Sequence, residues 1–140
     1  MKVWALVALF ALLLGGCATA RAPFHLDDWR AVADRDPMPA GEKIRVTHLR
    51  TTPTQSHHLV RVRGAEALHV HARHDLTVFV LEREGEIEIG GTTAPCDAGD
   101  VLEIPRGTPH RFTNGGREPA AAYAVFTPPF DGKDGIAVER

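Results

Sequence analysis

This sequence is poor in cysteine, poor in aromatics and without a surplus of charge of either sign. Two Cys in 140 residues cannot supply a disulfide framework. Aromatic residues make up 6% of the chain, and 16 Lys and Arg face 18 Asp and Glu, a formal net charge of −2. Nucleic-acid binders need a basic footprint, and single-strand binders also need stacking platforms, so the composition excludes nucleic acid as a partner. The longest apolar run is twelve residues, 3–14. That is well short of the roughly 20 needed to cross a bilayer as a helix. No solenoid-type repeat is present. A chain of this length predicts a single domain. What the sequence does have is histidine, eight in all, a residue suited to metal binding and proton transfer when clustered.

The first residues have the order of a secretory signal: Lys2, the short apolar run, then the small pair Gly15-Gly16. The ending Leu14-Gly15-Gly16-Cys17 resembles the bacterial lipobox, in which a dedicated peptidase cuts before the Cys and the thiol carries diacylglycerol. The resemblance implies that 1–16 are a signal peptide and that Cys17 is the lipidation site. Ala18 in place of Asp implies an outer-membrane lipoprotein of the cell envelope, facing the periplasm. The mature chain would be 17–140; losing Lys2 leaves 15 basic against 18 acidic residues, a net charge of −3. Acyl chains then supply the membrane attachment, so the domain itself need not touch lipid. Cys96 is left without a partner in the chain, and a buried spectator thiol is expected there rather than a reactive one.

Residues 17–43 read as a lipidated tether and one short helix. Within 25–35, Leu26, Trp29, Val32 and Ala33 repeat at helical spacing after Asp27 or Asp28 as cap, and Asp36-Pro37 ends the pattern. From residue 44 the hydrophobic period becomes two. Ile44, Val46 and His48 share one face, and further strands are predicted at 57–63, 66–71, 76–82, 86–90, 100–104, 110–113 and 120–127. Gly, Pro or Asn separates them, which predicts an all-β sandwich or barrel over 44–127. The tail 128–140, opening Pro128-Pro129, is expected to run over the surface.

Two segments carry candidate chemistry. In Leu68-His69-Val70-His71-Ala72-Arg73-His74-Asp75, a strand would point His69 and His71 to the same side. Two imidazoles so placed can reach one ion, and Fe, Mn, Zn, Ni and Cu all accept imidazole nitrogen. In the second segment Gly99-Asp100 and Pro105-Arg106-Gly107 read as turns around a short strand, and His110 opens the next one.

The spacing G-x5-P-x-G-x2-H-x3-N, here Gly99, Pro105, Gly107, His110 and Asn114, is similar to the second signature of the cupin superfamily. His69-x-His71-x3-Asp75, followed by Val80-Leu81-Glu82-Arg83-Glu84-Gly85, resembles the first. The resemblance covers roughly 44–127 and implies a cupin jelly-roll barrel with a short N-terminal helix outside it. It also implies one divalent transition metal held by His69, His71 and His110, with Asp75 as candidate fourth ligand. The family's usual Glu would fall on Leu76, and alternation groups Leu76 with Val78 and Val80, away from Asp75. Three ligand sets therefore stay open: three His plus Asp75, three His plus His74, or three His with water. Asp75 as a hydrogen-bond partner of a ligand His, and a metal-free barrel used for ligand binding, are further alternatives.

The remaining polar residues are weighed as follows. One of His57 and His58 must face inward; either could serve as a pocket base, though a rim position is expected. His25 and His48 are expected at the surface. Arg106 and Arg111 flank His110 and read as solvated loop charges, or as partners for an anionic substrate. Tyr123 is a core aromatic or a substrate hydrogen-bond donor. Arg83, where the family often has Gly, predicts a turn without positive φ. Leu68, Val78, Val80, Leu102 and Phe112 are expected to wall a dry interior. Such a site suits a metalloenzyme of dioxygenase or isomerase type acting on a small molecule, or a non-enzymatic metal- or ligand-binding lipoprotein. The resemblance also admits a homodimer.

Overall fold

A computed structural model describes residues 28–139; the lipobox-like segment with Cys17, and His25, lie outside them. One helix is followed by two five-stranded antiparallel sheets packed face to face. The helix, α1, spans Trp29–Arg35 and starts where Asp28 accepts the Arg30 N–H at 2.9 Å. Its C-terminal end is tied down from the barrel: the Arg61 guanidinium donates to the Ala33 carbonyl at 3.2 Å and to that of Asp36. Arg61 is thereby buried on the outer face of the sheet, under the helix.

The strands in chain order are β1 (Ile44–Thr51), β2 (Ser56–Val62), β3 (His69–His71), β4 (Asp75–Glu82), β5 (Gly85–Ile89), β6 (Thr92–Cys96), β7 (Val101–Ile104), β8 (His110–Asn114), β9 (Ala120–Thr127) and β10 (Gly135–Ala137). One sheet has the order β1-β2-β9-β4-β7 and the other β10-β3-β8-β5-β6. The all-β expectation holds, and the strand expectations fall within a few residues. Two strands go beyond it. β6 contains Pro95 and no alternation, which is tolerable because it is an edge strand with one unpaired side. β10 comes from the tail, which runs over the surface as expected, 135–137 being exposed, but is fastened to the barrel as a strand. Phe130 packs on the core, Asp134 is 2% exposed, and 135–137 pair with β3. His74 drives this by holding the tail through Asp134, a partner that sequence spacing does not reveal.

Register places the interior. On the first sheet Ile44, Val46, Val60, Val62, Ala120, Ala122, Ala124, Leu76, Val78 and Val80 fall on paired rungs of one face, as period two requires. The core forms two clusters. One joins Leu76, Ile104, Ala124 and Phe126; the other joins Val80, Ile87 and Cys96. A cavity of about 350 Å³ runs between the sheets.

Two glycines of the signatures have local steric reasons. A Cβ on Gly85 would lie 2.2 Å from the Thr113 carbonyl oxygen and 2.7 Å from the Phe112 ring. Gly107 has φ 75° and donates its N–H to the His71 carbonyl at 2.8 Å, which fixes the end of β3 against the β7–β8 loop. Arg83 also takes positive φ, 77°, contrary to the turn expected for a non-Gly residue. Arg83 and Glu84 alone carry the chain from β4 in one sheet to β5 in the other, and left-handed backbone at Arg83 makes that tight change of direction.

Candidate metal centre

β3 and β8 are neighbours, and the rung between them pairs His69 with His110. His71 stands two residues along β3 on the same side. The consequence is a three-imidazole cluster whose candidate ligand nitrogens all lie within 4.8 Å of one another. It is the only such group among the described residues. Ring centroids are 4.3 Å apart for His69 and His110, 5.1 Å for His69 and His71, and 5.4 Å for His71 and His110.

The hydrogen bonds suit this set to an ion. His69 Nδ1 lies 2.8 Å from the Ala67 carbonyl, and His110 Nδ1 lies 2.9 Å from the Thr108 carbonyl. A carbonyl only accepts, so each Nδ1 carries the proton and each Nε2 keeps its lone pair. His71 has a buried Nδ1 with no hydrogen-bond partner. Burial pushes the His110 ring down to about 4, against the Thr108 carbonyl, and lowers His71 as well. Both rings are therefore neutral at pH 7, the form that ligates. Donor type, spacing and protonation all fit a divalent transition metal.

The other sequence-predicted candidates lie elsewhere. Asp75 is outside the trio: Arg106 donates to it from its backbone N–H at 2.9 Å, from Nε at 3.2 Å and from Nη2 at 2.5 Å. Its side chain is 47% exposed, and the Arg106 guanidinium holds its carboxyl at about 2. Arg106 is thus spent on Asp75, and Arg111 on Glu88 at 2.9 Å. His74 is 3% exposed with both ring nitrogens engaged, Nδ1 at 2.5 Å from Asp134 Oδ2 and Nε2 at 3.2 Å from the Pro129 carbonyl. Leu76 takes the cavity-wall position.

His57 faces outward, its Nδ1 2.8 Å from the Tyr123 hydroxyl, and neither residue lines the cavity. His58 is buried beside Phe126 and Phe130, bonded to the Ser56 hydroxyl at 2.9 Å, and pushed down to about 4 by burial; it too is off the wall. Val78, Val80, Leu102 and Phe112 do wall the interior, whereas Leu68 is buried away from it. Asn114 closes a turn, donating to the Val62 and Glu118 carbonyls and accepting the Gly116 N–H. Cys96 is fully buried at the cavity wall and its thiol is pushed up by burial, as an unreactive thiol should be.

Sequence reading missed Glu66. An isolated bridge between Ala65 and Thr113 brings the segment before β3 against β8, and Glu66 Oε2 accepts the Phe112 N–H at 2.9 Å. Its side chain is on the cavity wall, and burial pushes its carboxyl above the ordinary range, opposed by the Phe112 N–H and by His69.

The Cupin_2 model of the cupin domain matches residues 54–126, about half of the chain and most of the two sheets. The chain is a cupin. A relative from Aquifex aeolicus (strain VF5), an uncharacterized protein, is 40% identical over 98 residues, 70% of this chain and 80% of its own length. A germin-like protein 1-1 of Oryza sativa subsp. japonica is 31% identical over 113 residues, 71% of this chain but only 51% of the relative. Among solved structures, this cupin resembles Pac13 from Streptomyces, described as a nucleoside dehydratase, with a TM-score of 0.59 and 20% identity over 70% of this chain and 82% of the other. At that identity the likeness concerns the fold alone.

Proposed function

We propose that this cupin is an envelope lipoprotein that binds one divalent transition metal through His69, His71 and His110 and uses it on a small molecule. The observation that carries the reading is the convergence of three imidazole nitrogens within 4.8 Å, two of them freed by Nδ1–carbonyl bonds. Asp75 stays outside the ligand set in this proposal, because Arg106 occupies its carboxylate. Three imidazoles leave coordination positions open, the arrangement of catalytic rather than closed structural sites. A bound ion would supply Lewis acidity, or oxygen chemistry if it is iron, copper or nickel. The chain's own residues supply the rest: apolar walls exclude water, and Glu66 offers a carboxylate on the same wall that can take or return a proton. That carboxylate favours an enzyme of dioxygenase or isomerase type.

A binding role is the second reading. It is favoured by Leu76 on the wall in place of a carboxylate, and by the placement of His57 and His58 off it. The natively loaded metal separates the two, since iron points to oxygen chemistry. Elemental analysis of the purified full-length chain should give about one equivalent of metal per chain. His69→Ala with His110→Ala should remove it while the circular dichroism spectrum stays that of a β-protein; a full equivalent in that double variant overturns the assignment. Envelope anchoring rests on Leu14-Gly15-Gly16-Cys17. Cys17→Ser should shift the protein from the membrane fraction to the soluble one.

A further inference from the structure

The polar side chains on the cavity wall are Glu66, His69, His71 and His110, apart from the Cys96 thiol. They sit together: His69 pairs with His110, and Glu66 is bonded to Phe112, two residues from His110. The rest of the wall is hydrocarbon, and no Lys, Arg, Ser, Thr, Asn, Gln or Tyr among the described residues contributes to it. Ala120, Ala122 and Ala124 line one side of β9, where larger residues would have filled the space. Ile44 and Val46 are on this wall and yet 39% and 49% exposed, so the apolar surface continues to the mouth.

We propose that this cavity takes a small, neutral, mostly hydrocarbon molecule with one oxygen-bearing end, that end meeting the imidazole trio and Glu66 and its body lying along β9. The proposal rests on the metal reading for the head and on the walls alone for the body. Polyhydroxylated molecules are disfavoured because each hydroxyl buried without a partner costs on the order of tenfold in affinity. A sugar or nucleoside would strand several here. Anionic ligands are disfavoured beyond one coordinating group, because no cation lines the wall and Glu66 adds negative charge. The volume of about 350 Å³ lies at the lower end of the roughly 300–1,000 Å³ of small-molecule sites, which sets the size at one or two rings.

The test uses N-phenyl-1-naphthylamine, a neutral apolar dye, on the full-length chain, with 2-naphthol, uridine and D-glucuronate as competitors. Dye fluorescence should rise on binding and be reversed by 2-naphthol at concentrations at least about tenfold below those of uridine or glucuronate. Ala122→Phe should abolish dye binding with the metal content unchanged. Val46→Asp, at the exposed mouth where folding is not at stake, should weaken dye binding by about tenfold or more. Removing the metal should weaken 2-naphthol and leave the dye unaffected. A protein that takes up no metal when metal is supplied, yet binds dye in the Ala122-sensitive manner, overturns the metal reading and leaves the apolar class standing. A metal-loaded protein displaced more readily by uridine or glucuronate, or dye binding indifferent to both substitutions, overturns the class.

Discussion

The chemistry of this cupin is set at the scale of single ring nitrogens. Burial penalises the charged ring and holds His110 down at about 4, so at pH 6 it still keeps its lone pair, and it lowers His71 in the same direction. Three unshifted imidazoles would lose roughly sixtyfold in metal affinity between pH 8 and pH 6, because each must shed a proton to bind. Here His110 drops out of that loss, which removes a factor of about four from it. The apparent affinity for zinc should therefore fall by less than about twentyfold over the same range, as read by competition with a chromophoric chelator. A sixtyfold fall would mean that the cluster is solvated and charged in solution. Neither Asp75 nor His74 should affect this profile, since Arg106 holds the first and Asp134 the second.

At the scale of elements, the β4–β5 crossing between the two sheets makes a paired prediction. Arg83 at φ 77° occupies backbone that L-residues adopt at a cost of about 1–2 kcal/mol, part of which Gly returns as unfolded-state entropy. Arg83→Gly should raise stability by about 0.5–1 kcal/mol in urea unfolding. Two residues later the sign reverses: Gly85→Ala drives a methyl into the Thr113 carbonyl, and should cost about 3 kcal/mol. A crossing in which both substitutions behave alike would refute the β5–β8 register described. The neighbouring elements mark what the sequence could disclose. Period two made most strands legible and put His69 and His71 on one side, and the two signatures added His110. Glu66 was invisible, because its place on the wall follows from the Ala65–Thr113 bridge and not from any spacing to the histidines. β10 was invisible for a similar reason, being held by the non-local His74–Asp134 contact. Asp75 was misleading, because its partner Arg106 is 31 residues away.

At the scale of the whole molecule, three carboxylates pin segments that are distant in sequence, and together they predict how the fold responds to acid. Asp36 joins the end of α1 to the first sheet through Arg45, Thr47 and Arg61. Asp75 joins β4 to the β7–β8 loop through Arg106, and Asp134 joins the tail to Arg73 and His74. Arg45 and Thr47 hold Asp36 at about 2, and Arg106 holds Asp75 there. For Asp134 burial pushes the other way, but the Arg73 N–H, His74 and the Arg73 guanidinium prevail and its carboxyl also falls to about 2. All three are depressed from 3.8, so their contribution is complete above that value and is lost as pH falls toward 2, the unfolded chain taking up protons first. Stability should be flat above about pH 5 on account of these groups and then drop steeply between about pH 4 and 2. Salt separates them. The Asp75 side chain is 47% exposed and that of Asp134 only 3%, so 1 M NaCl should erase most of the Asp75 share and spare that of Asp134. Urea unfolding across pH 5 to 2 in low and high salt should show Asp134→Asn flattening the acid limb in both, and Asp75→Asn only in low salt. An acid limb unchanged by Asp134→Asn would mean that the tail is not fastened to the barrel through His74.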